Sequence, residues 1–407
     1  MNIETTENKK KIVYDIFDIF YDKEDINFKE NADIIIKDKI YYKGYVKDYK
    51  DNHDLKIKLY HILEKETGYS SKWGILTGSK PQKLYRIKGE KLKEEYLVDD
   101  SKIDIMKKID TIQKNYQIDK DGYNLYINIP FCPSRCDYCS YPTIVYKKND
   151  YRKEYLEYII KELKTLPVNK FQTIYIGGGT PSSLSHSDLE ILLKEIDKFE
   201  FSEFTFEAGR EDTIDKEKLD ILKNHNVTRI SINPQTFNKK VIESLNRIQD
   251  NDRLIELYDY AKDKFIVNMD FIIGLRKDDF IENLKIIEEL KPNNVTFHTL
   301  SIKSGSKFYE SNDRFKEEKK NADRILNFAK GKLKELSYNP YYLYRQKEIL
   351  SNLENIGFEL NNTASIYNII INEEYANIIG IGMNANSKFT NNKKLRMDKN
   401  YRDYKKI

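Results

Sequence analysis

The sequence predicts an α/β fold, in which a partial, TIM-like (βα)6 barrel follows an N-terminal α/β domain and precedes a short C-terminal region. From residue 125 onward, short β-branched runs alternate with stretches of helical periodicity, which is the pattern of repeated βα units on a parallel sheet. Residues 1–120 do not continue this rhythm. Because 407 residues exceed what one hydrophobic core usually serves, we expect three parts. They are the N-terminal domain at 1–120, the barrel at 121–310 and a C-terminal region at 311–407 that packs on the barrel.

The barrel strands are predicted by runs of β-branched and aromatic residues. They cover residues 125–131, 173–179, 204–209, 229–235, 265–274 and 294–301. Apolar residues three and four apart predict the helices between them, at 151–166, 189–199, 216–224, 239–246, 252–264 and 280–290, and a later helix at 316–336. In such barrels the chemistry lies at the carboxyl ends of the strands, so the functional motifs are expected there.

The composition is that of an ordinary globular protein. Charged residues make up 33% and apolar residues 39% of the chain, and the net charge of +4 is spread over interleaved basic and acidic side chains. A nucleic-acid partner is therefore not implied. There is no run of about 18 apolar residues and no apolar segment at the start, so we expect a cytoplasmic protein with no membrane partner. We also expect a monomer.

All three cysteines, Cys132, Cys136 and Cys139, follow the first predicted barrel strand in a C-x3-C-x2-C motif. An odd number so close together argues against a disulfide framework and for a metal site in a reducing compartment. Three thiolates can each hold one iron of a cubane cluster and leave the fourth iron open, whereas zinc and structural clusters normally take four ligands. A zinc site completed by a distant histidine, or three buried free cysteines, remains the alternative.

The segment IPFCPSRCDYCSY resembles radical S-adenosylmethionine (SAM) enzymes, and more closely the oxygen-independent coproporphyrinogen III oxidase family. The likeness covers roughly residues 125–388, and GILTGSKPQKL and YYLYRQKEILSNLENIGF resemble the coproporphyrinogen dehydrogenase branch. The resemblance implies a radical SAM barrel whose three cysteines bind a 4Fe–4S cluster. The open iron of this cluster would chelate SAM, and a reductant such as flavodoxin or ferredoxin would drive release of a 5′-deoxyadenosyl radical.

The reaction implied by the resemblance belongs to haem biosynthesis. It is the anaerobic oxidative decarboxylation of two propionates of coproporphyrinogen III to vinyl groups, which gives protoporphyrinogen IX. The partner would then be a tetrapyrrole substrate.

Gly177, Gly178 and Gly179 end the second predicted strand and are followed by Thr180 and Pro181. Absent side chains allow backbone groups to approach a ligand closely, although a tight turn explains the glycines equally well. The resemblance implies that Gly178, Gly179 and Thr180 hold the amino end of the SAM methionine.

Four more polar residues lie in or after the later strands, and the resemblance assigns them to SAM. Glu207 would face the methionine, although it could instead cap a helix. Gln235 and Asp270 would bind the ribose, and a buried carboxylate such as Asp270 needs a partner, so a buried salt bridge or a helix cap is the alternative. Arg247 can hold a carboxylate through a two-pronged hydrogen bond, or it can form a surface salt bridge.

Aromatic and basic residues complete the expected site. By the resemblance Tyr126 lies near the methionine and Tyr138 near the adenine, with core packing as the alternative for Tyr126. His298 is either a proton donor in the barrel mouth or a hydrogen-bonded core histidine. The cations expected by position to face substrate carboxylates, unless they are simply surface residues, are Arg210, Arg345 and Lys347.

Two departures from the family pattern bear on the substrate. Tyr141 stands where the oxidases have a fourth nearby cysteine, and Asn128 replaces a histidine that often precedes IPFC, so a second SAM site cannot be assumed. Two other functions stay open, namely a haem-binding chaperone of the same superfamily and a radical enzyme that opens or methylates a tetrapyrrole. A structural metal protein is a third.

Overall fold

The computed structural model describes residues 1–30, 32–147, 150–311 and 315–406. The chain divides into two compact units, Met1–Lys107 with Ser351–Leu353, and Lys108–Leu350 with Glu354–Ile407. The three domains expected from the sequence, with limits at residues 120 and 310, remain a proposal about independent folding. Within the described residues, no helix is both long enough and apolar enough to cross a membrane.

The first unit is a mixed five-stranded sheet with its own core. Its strands are β1 (Asn2–Thr5), β2 (Asn27–Phe28), β3 (Ile34–Ile36), β4 (Lys39–Tyr42) and β5 (Tyr45–Asp48), in the order β2-β1-β3-β4-β5. Its helices are α1 (Glu7–Phe17), α2 (Asn52–Thr67), α3 (Pro81–Lys88), α4 (Leu92–Tyr96) and the first part of α5 (Asp100–Gln113). Apolar faces of α1 and α2, including Phe17 and Leu59, pack with Ile34 and Ile36 of the sheet.

The second unit contains the six parallel strands that the sequence predicts. They are β6 (Tyr123–Ile129), β9 (Lys170–Gly178), β10 (Glu200–Gly209), β11 (Arg229–Ile232), β12 (Ile266–Ile273) and β13 (Asn294–Thr299), with the short pair β7 (Phe131–Cys132) and β8 (Ile144–Val145) after β6. Neighbours in the order β6-β9-β10-β11-β12-β13 pair in parallel, and apolar residues of β6 such as Leu125 and Ile127 are fully buried.

Helices alternate with these strands, and polar caps fix where most of them begin. They are α6 (Arg152–Lys164), α7 (His186–Ile196), α8 (Lys216–Asn224), α9 (Lys239–Ser244), α10 (Asn251–Ala261), α11 (Phe280–Leu290), α12 (Lys307–Glu310), α13 (Lys316–Glu335), α14 (Ile366–Glu373) and α15 (Tyr401–Tyr404). The side chain of Ser185 accepts from the Asp188 amide, so α7 begins three residues earlier than apolar spacing indicates. The same kind of cap, made by Asp215, begins α8.

The C-terminal region does more than pack on the barrel, because it adds five strands to the barrel sheet. They are β14 (Asn339–Tyr344), β15 (Asn355–Glu359), β16 (Asn377–Ile381), β17 (Asn386–Lys388) and β18 (Lys394–Arg396). β15 pairs antiparallel with β13, and β16 pairs in parallel with β6, so the additions lie at both edges of the barrel strands. Gly380 permits the β16–β17 contact, since a Cβ there would lie 2.6 Å from the Asn386 carbonyl oxygen.

Candidate functional site

The three cysteines lie at the end of β7 and in the loop that follows it. None forms a disulfide, and Cys132 and Cys136 are buried while Cys139 is partly exposed. The loop turns tightly, because the Cys139 amide donates to the Cys136 carbonyl at 3.0 Å. It is tied to the segment after α9 by the Asp137 amide, which donates to the Leu245 carbonyl at 3.0 Å. The three sulfurs therefore belong to one ordered segment, residues 132–139, which we name the cysteine loop.

Two polar side chains reach the sulfurs from neighbouring strand ends. The Thr180 hydroxyl is 3.3 Å from Cys132 Sγ, and Arg210 Nη1 is 3.7 Å from Cys136 Sγ. Burial raises the pKa of Cys132 to about 11 and also raises the pKa of Cys139. A thiolate in this loop consequently needs a compensating positive charge, which a bound metal centre supplies.

The donor set of three thiols in one loop fits a 4Fe–4S cluster. Within the described ranges, no three His, Cys, Asp or Glu side chains are grouped so that they could hold one ion. Zinc requires all its ligands within about 2.0–2.3 Å of the same atom. In a cubane each cysteine binds a different iron, so three thiols spaced along one loop suit a 4Fe–4S cluster whose fourth iron is open.

The glycines at the end of β9 bring that strand against the residues that precede Cys132. Gly178 has φ of +116°, and a Cβ there would lie 2.2 Å from Asn128 Oδ1. A Cβ on Gly179 would lie 2.8 Å from the carbonyl oxygen of Phe131, and the Thr180 amide donates to that same oxygen at 2.7 Å. The sequence offered two explanations for these glycines, a close approach of the backbone and a tight turn. Both features occur here.

The predicted carboxylates Glu207 and Asp270 both line a cavity of about 320 Å³ inside the barrel. Glu207 accepts a hydrogen bond from the Tyr175 hydroxyl, and burial raises its pKa to about 7. Asp270 Oδ2 is 3.5 Å from His298 Nε2, and Oδ1 accepts from Asn268 at 2.8 Å. Burial is the largest single effect and acts to raise the pKa of Asp270. Attraction to His298 and hydrogen bonds from His298, Asn268 and Thr296 together outweigh it, so the pKa is lowered.

Gln235 lies next to this cavity without lining it. Its backbone has φ of +64°, its amide donates to the Asp270 carbonyl, and its own carbonyl accepts from Ile272, both at 2.9 Å. The structure therefore brings Gln235 and Asp270, the two residues expected at the ribose, into direct backbone contact.

Arg247 is buried rather than engaged in a surface salt bridge. Nη2 donates to the carbonyls of Asn233 at 2.6 Å and Gly209 at 3.2 Å, and Nη1 is 3.4 Å from the Tyr138 hydroxyl. Its guanidinium thus links the expected adenine-side tyrosine to the ends of β10 and β11.

Tyr126 connects the two positions that depart from the family pattern. Its hydroxyl donates to Asn128 Oδ1 at 3.1 Å and lies 3.1 Å from the Tyr141 hydroxyl, which also donates to Asn128 Oδ1, at 3.0 Å. The two departures are therefore hydrogen-bonded partners. From the sequence, Asn128 and Tyr141 were two separate departures, and the hydrogen-bond network that joins them was not predicted.

The expected substrate-facing cations are dispersed. Arg210 forms a two-pronged ion pair with Asp212, Arg345 is buried, and Lys347 is exposed. His298 does line the cavity, with Nδ1 3.3 Å from the Tyr344 hydroxyl.

Tyr175 and Tyr344 also line the cavity and were not predicted from the sequence. The alternation of strand side chains would have found Tyr175, because it precedes Gly177 by two residues and so lies on the same face of β9. Tyr344 lies on β14, a strand that was not predicted.

Comparison with known proteins places the chain in a family. A model described as the radical SAM superfamily matches residues 126–290. The chain is 38% identical, over 81% of its own length and 72% of the relative's, to the oxygen-independent coproporphyrinogen-III oxidase-like protein HemZ of Bacillus subtilis (strain 168). It is 26% identical, over 66% and 70% of the two lengths, to the heme chaperone HemW of Buchnera aphidicola subsp. Schizaphis graminum (strain Sg).

A solved structure confirms the fold. The structure of coproporphyrinogen III oxidase (HemN) from Escherichia coli, described as a radical SAM enzyme, superposes with a TM-score of 0.59 at 21% identity, covering 74% of this chain and 71% of that one. The predicted cofactors, a 4Fe–4S cluster and SAM, are those of the superfamily. The chain belongs to the oxygen-independent coproporphyrinogen III oxidase family of the radical SAM superfamily.

Proposed function

We propose that this protein is a coproporphyrinogen III dehydrogenase, which converts two propionates of coproporphyrinogen III to vinyl groups and gives protoporphyrinogen IX in haem biosynthesis. One observation carries the proposal, namely that contacts run unbroken from the cysteine loop to the barrel cavity. The Cys132 sulfur contacts the Thr180 hydroxyl. Gly178, two residues before Thr180, donates a backbone hydrogen bond to Glu207, and Glu207 lines the cavity. The similarity to an oxidase-like relative over most of both chains supports the same reaction.

The cysteines, Cys132, Cys136 and Cys139, are the proposed cluster ligands. When bound, the cluster and SAM supply a carbon-centred radical that removes a hydrogen atom from the substrate. Tyr126, Gly178, Gly179 and Thr180 would hold the methionine end of SAM. Tyr138, which Arg247 contacts, would lie near the adenine, and Arg247 would hold a carboxylate of the ligand. Gln235 and Asp270 would bind the ribose.

Glu207 is suited to a cationic ligand group. With a pKa of about 7, it carries only part of its negative charge near neutral pH in the cofactor-free protein. An ammonium group placed beside it would favour the charged form and lower that pKa. The α-amino group of SAM is such a cation, and the Tyr175 hydroxyl keeps the carboxylate in place for it.

The barrel would orient the substrate and shield the radical. The cavity of about 320 Å³ is of the size that small-molecule sites occupy, and it is lined mainly by hydroxyl, amide and aromatic side chains such as Tyr342, Tyr344 and Asn268. A substrate bound in this cavity would exclude water and other reactants from a reactive intermediate. The tetrapyrrole, an external one-electron reductant such as flavodoxin or ferredoxin, a monomeric state and a cytoplasmic location all remain predictions.

A haem chaperone is the second candidate, because the relatives include several named heme chaperone HemW. Such a protein would bind haem stably and release no carbon dioxide. The higher identity to the oxidase-like protein, 38% against 26%, favours the enzyme.

An anaerobic assay tests the proposal. The iron-reconstituted protein is incubated with dithionite, SAM and coproporphyrinogen III, and 5′-deoxyadenosine and decarboxylated porphyrin are measured together. We expect both products, and neither from Cys136→Ala. Deoxyadenosine without decarboxylated porphyrin would keep the radical chemistry and contradict the substrate. Neither product, with stable binding of added haem, would favour the chaperone.

A further inference from the structure

We propose that Arg210 is a positioning residue that raises the reduction potential of the cluster by fixing a positive charge beside Cys136. The sequence suggested a different role, contact with substrate carboxylates. The inference rests on the proposed cysteine ligands and is independent of the proposed substrate.

One edge of the Arg210 guanidinium is held by a two-pronged ion pair with Asp212. Nε and Nη2 donate to the two carboxylate oxygens of Asp212, both at 2.8 Å. The side chains of Arg210 and Asp212 are only 5% and 14% exposed. A two-pronged arginine–carboxylate pair has a fixed plane, so the third nitrogen is aimed in one direction.

That third nitrogen points into the cysteine loop. Nη1 lies 3.7 Å from Cys136 Sγ, 3.2 Å from Ser134 Oγ and 3.3 Å from the Ser134 carbonyl oxygen. Arg210 directly follows β10, so the barrel sheet sets its position rather than the loop itself. The sulfur of Cys136 therefore receives a donor from a rigid element.

A donor at a ligand sulfur changes the cluster's redox balance. Reduction adds negative charge to the cluster, and a nearby cation or N–H donor stabilises the reduced form more than the oxidised form. Burial strengthens the effect because water does not screen it. Asp212 offsets part of the positive charge of Arg210. Because the guanidinium lies between Asp212 and the Cys136 sulfur, the net electrostatic effect at that sulfur is positive.

A purely structural role would give a different result from a redox role. If Arg210 only held the loop through Ser134, its loss would reduce cluster content without moving the potential of the cluster that remains. The potential therefore separates the two roles, whereas activity does not.

The test is an EPR-monitored redox titration of the full-length, iron-reconstituted protein without substrate, with iron content measured in parallel. At a fixed applied potential, we expect Arg210→Gln to lower the ratio of reduced to oxidised cluster by roughly threefold to tenfold. This is smaller than the full effect of a charge-assisted hydrogen bond, because the bond forms in both oxidation states and only the difference between them changes the ratio. Arg210→Lys keeps the charge and should fall between Arg210→Gln and the unmodified protein. Arg324→Gln, at an exposed arginine whose partner Asn321 lies in the same helix, is the control and should leave the ratio unchanged.

An unchanged ratio in Arg210→Gln with full iron content would overturn the proposal, and so would equal shifts in Arg210→Gln and Arg210→Lys. If Arg210→Gln fails to take up iron, Asp212→Asn decides the question. Asparagine removes the negative charge while its Oδ1 still accepts a hydrogen bond from the guanidinium, so the arginine charge beside Cys136 is less compensated and the ratio should rise. An unchanged or lower ratio in Asp212→Asn would contradict the inference.

Discussion

At the residue scale, Gly178 leaves no space for a side chain where the second barrel strand meets the residues before the cysteine loop. A Cβ would lie 2.2 Å from Asn128 Oδ1, and φ of +116° is strained for any L side chain. We expect Gly178→Ala to lower the unfolding free energy by about 2 kcal/mol or more and to abolish SAM binding. Thermal denaturation and equilibrium binding of SAM measure the two effects.

Gly331 provides the control for this substitution. It lies inside α13, and a Cβ there would meet nothing within 4 Å. Gly331→Ala should stabilise the protein by about 0.5–1 kcal/mol, because alanine favours a helix interior over glycine. Equal stability of the two variants would contradict the predicted steric conflict.

Glu207 should make stability depend on pH. Burial raises its pKa from 4.5 to about 7. Between these values the folded protein holds a proton that the unfolded chain has released, so stability is greatest at low pH and falls as pH rises towards 7. From about pH 5 to pH 8, the cluster-free protein should lose up to about 3 kcal/mol relative to Glu207→Gln.

Denaturant titrations at several pH values measure this difference. Glu200→Gln, at an exposed position on the same strand, should retain the pH dependence of the unmodified protein. Parallel pH profiles for the unmodified protein and Glu207→Gln would show that the raised pKa is wrong.

The sequence located those site residues whose type is unusual for their position in a strand. Glu207 and Asp270 were identifiable because acids are rare in buried strands, and both do line the cavity. Asn128 and Tyr141 were noticed only as departures from a pattern. Their hydrogen bond joins positions 13 residues apart across a loop, and no local periodicity encodes such a contact.

At the element scale, Glu203 joins β10 to the start of α14. Its carboxylate accepts from the amides of Ile366 and Tyr367, both at 3.0 Å, and lies 3.8 Å from Arg229 Nε. Glu203→Gln removes a buried charge that partners a cation and a helix N-terminus, and we expect a loss of about 3 kcal/mol. Denaturant unfolding measures it. Glu200→Gln, on the same strand, forms only a 3.9 Å surface pair with Lys170 and should change stability by less than about 0.5 kcal/mol.

The predicted elements differ in how well the sequence located them. The six barrel strands and their helices were found because each carries its own periodicity, and two helices, Lys216–Asn224 and Phe280–Leu290, have the predicted bounds. The strands of the C-terminal region were not predicted. β16 is only five residues long, and it belongs to the barrel sheet because it pairs with β6. In this pairing Asn377 lies opposite Tyr123, so the contact joins residues that are remote in sequence.

At the scale of the whole molecule, the first unit has a core of its own, and we propose that it folds independently of the cluster site. Leu59 on α2 is fully buried in that core. Leu59→Ala should cost about 2–5 kcal/mol, because truncation leaves a cavity that the surroundings fill only in part. We expect proteases to cut the variant within residues 1–107 while its iron content and cluster absorbance stay at the level of the unmodified protein.

Ile87→Ala, at a side chain that is 73% exposed in the same unit, controls for the loss of an apolar residue without a cavity and should be cut no faster than the unmodified protein. The physical basis of the prediction is that cooperative units open locally when their own buried contacts are weakened. Loss of the cluster in proportion to proteolysis of Leu59→Ala would mean that the two units unfold together. In that case the two compact units would be one cooperative unit of folding.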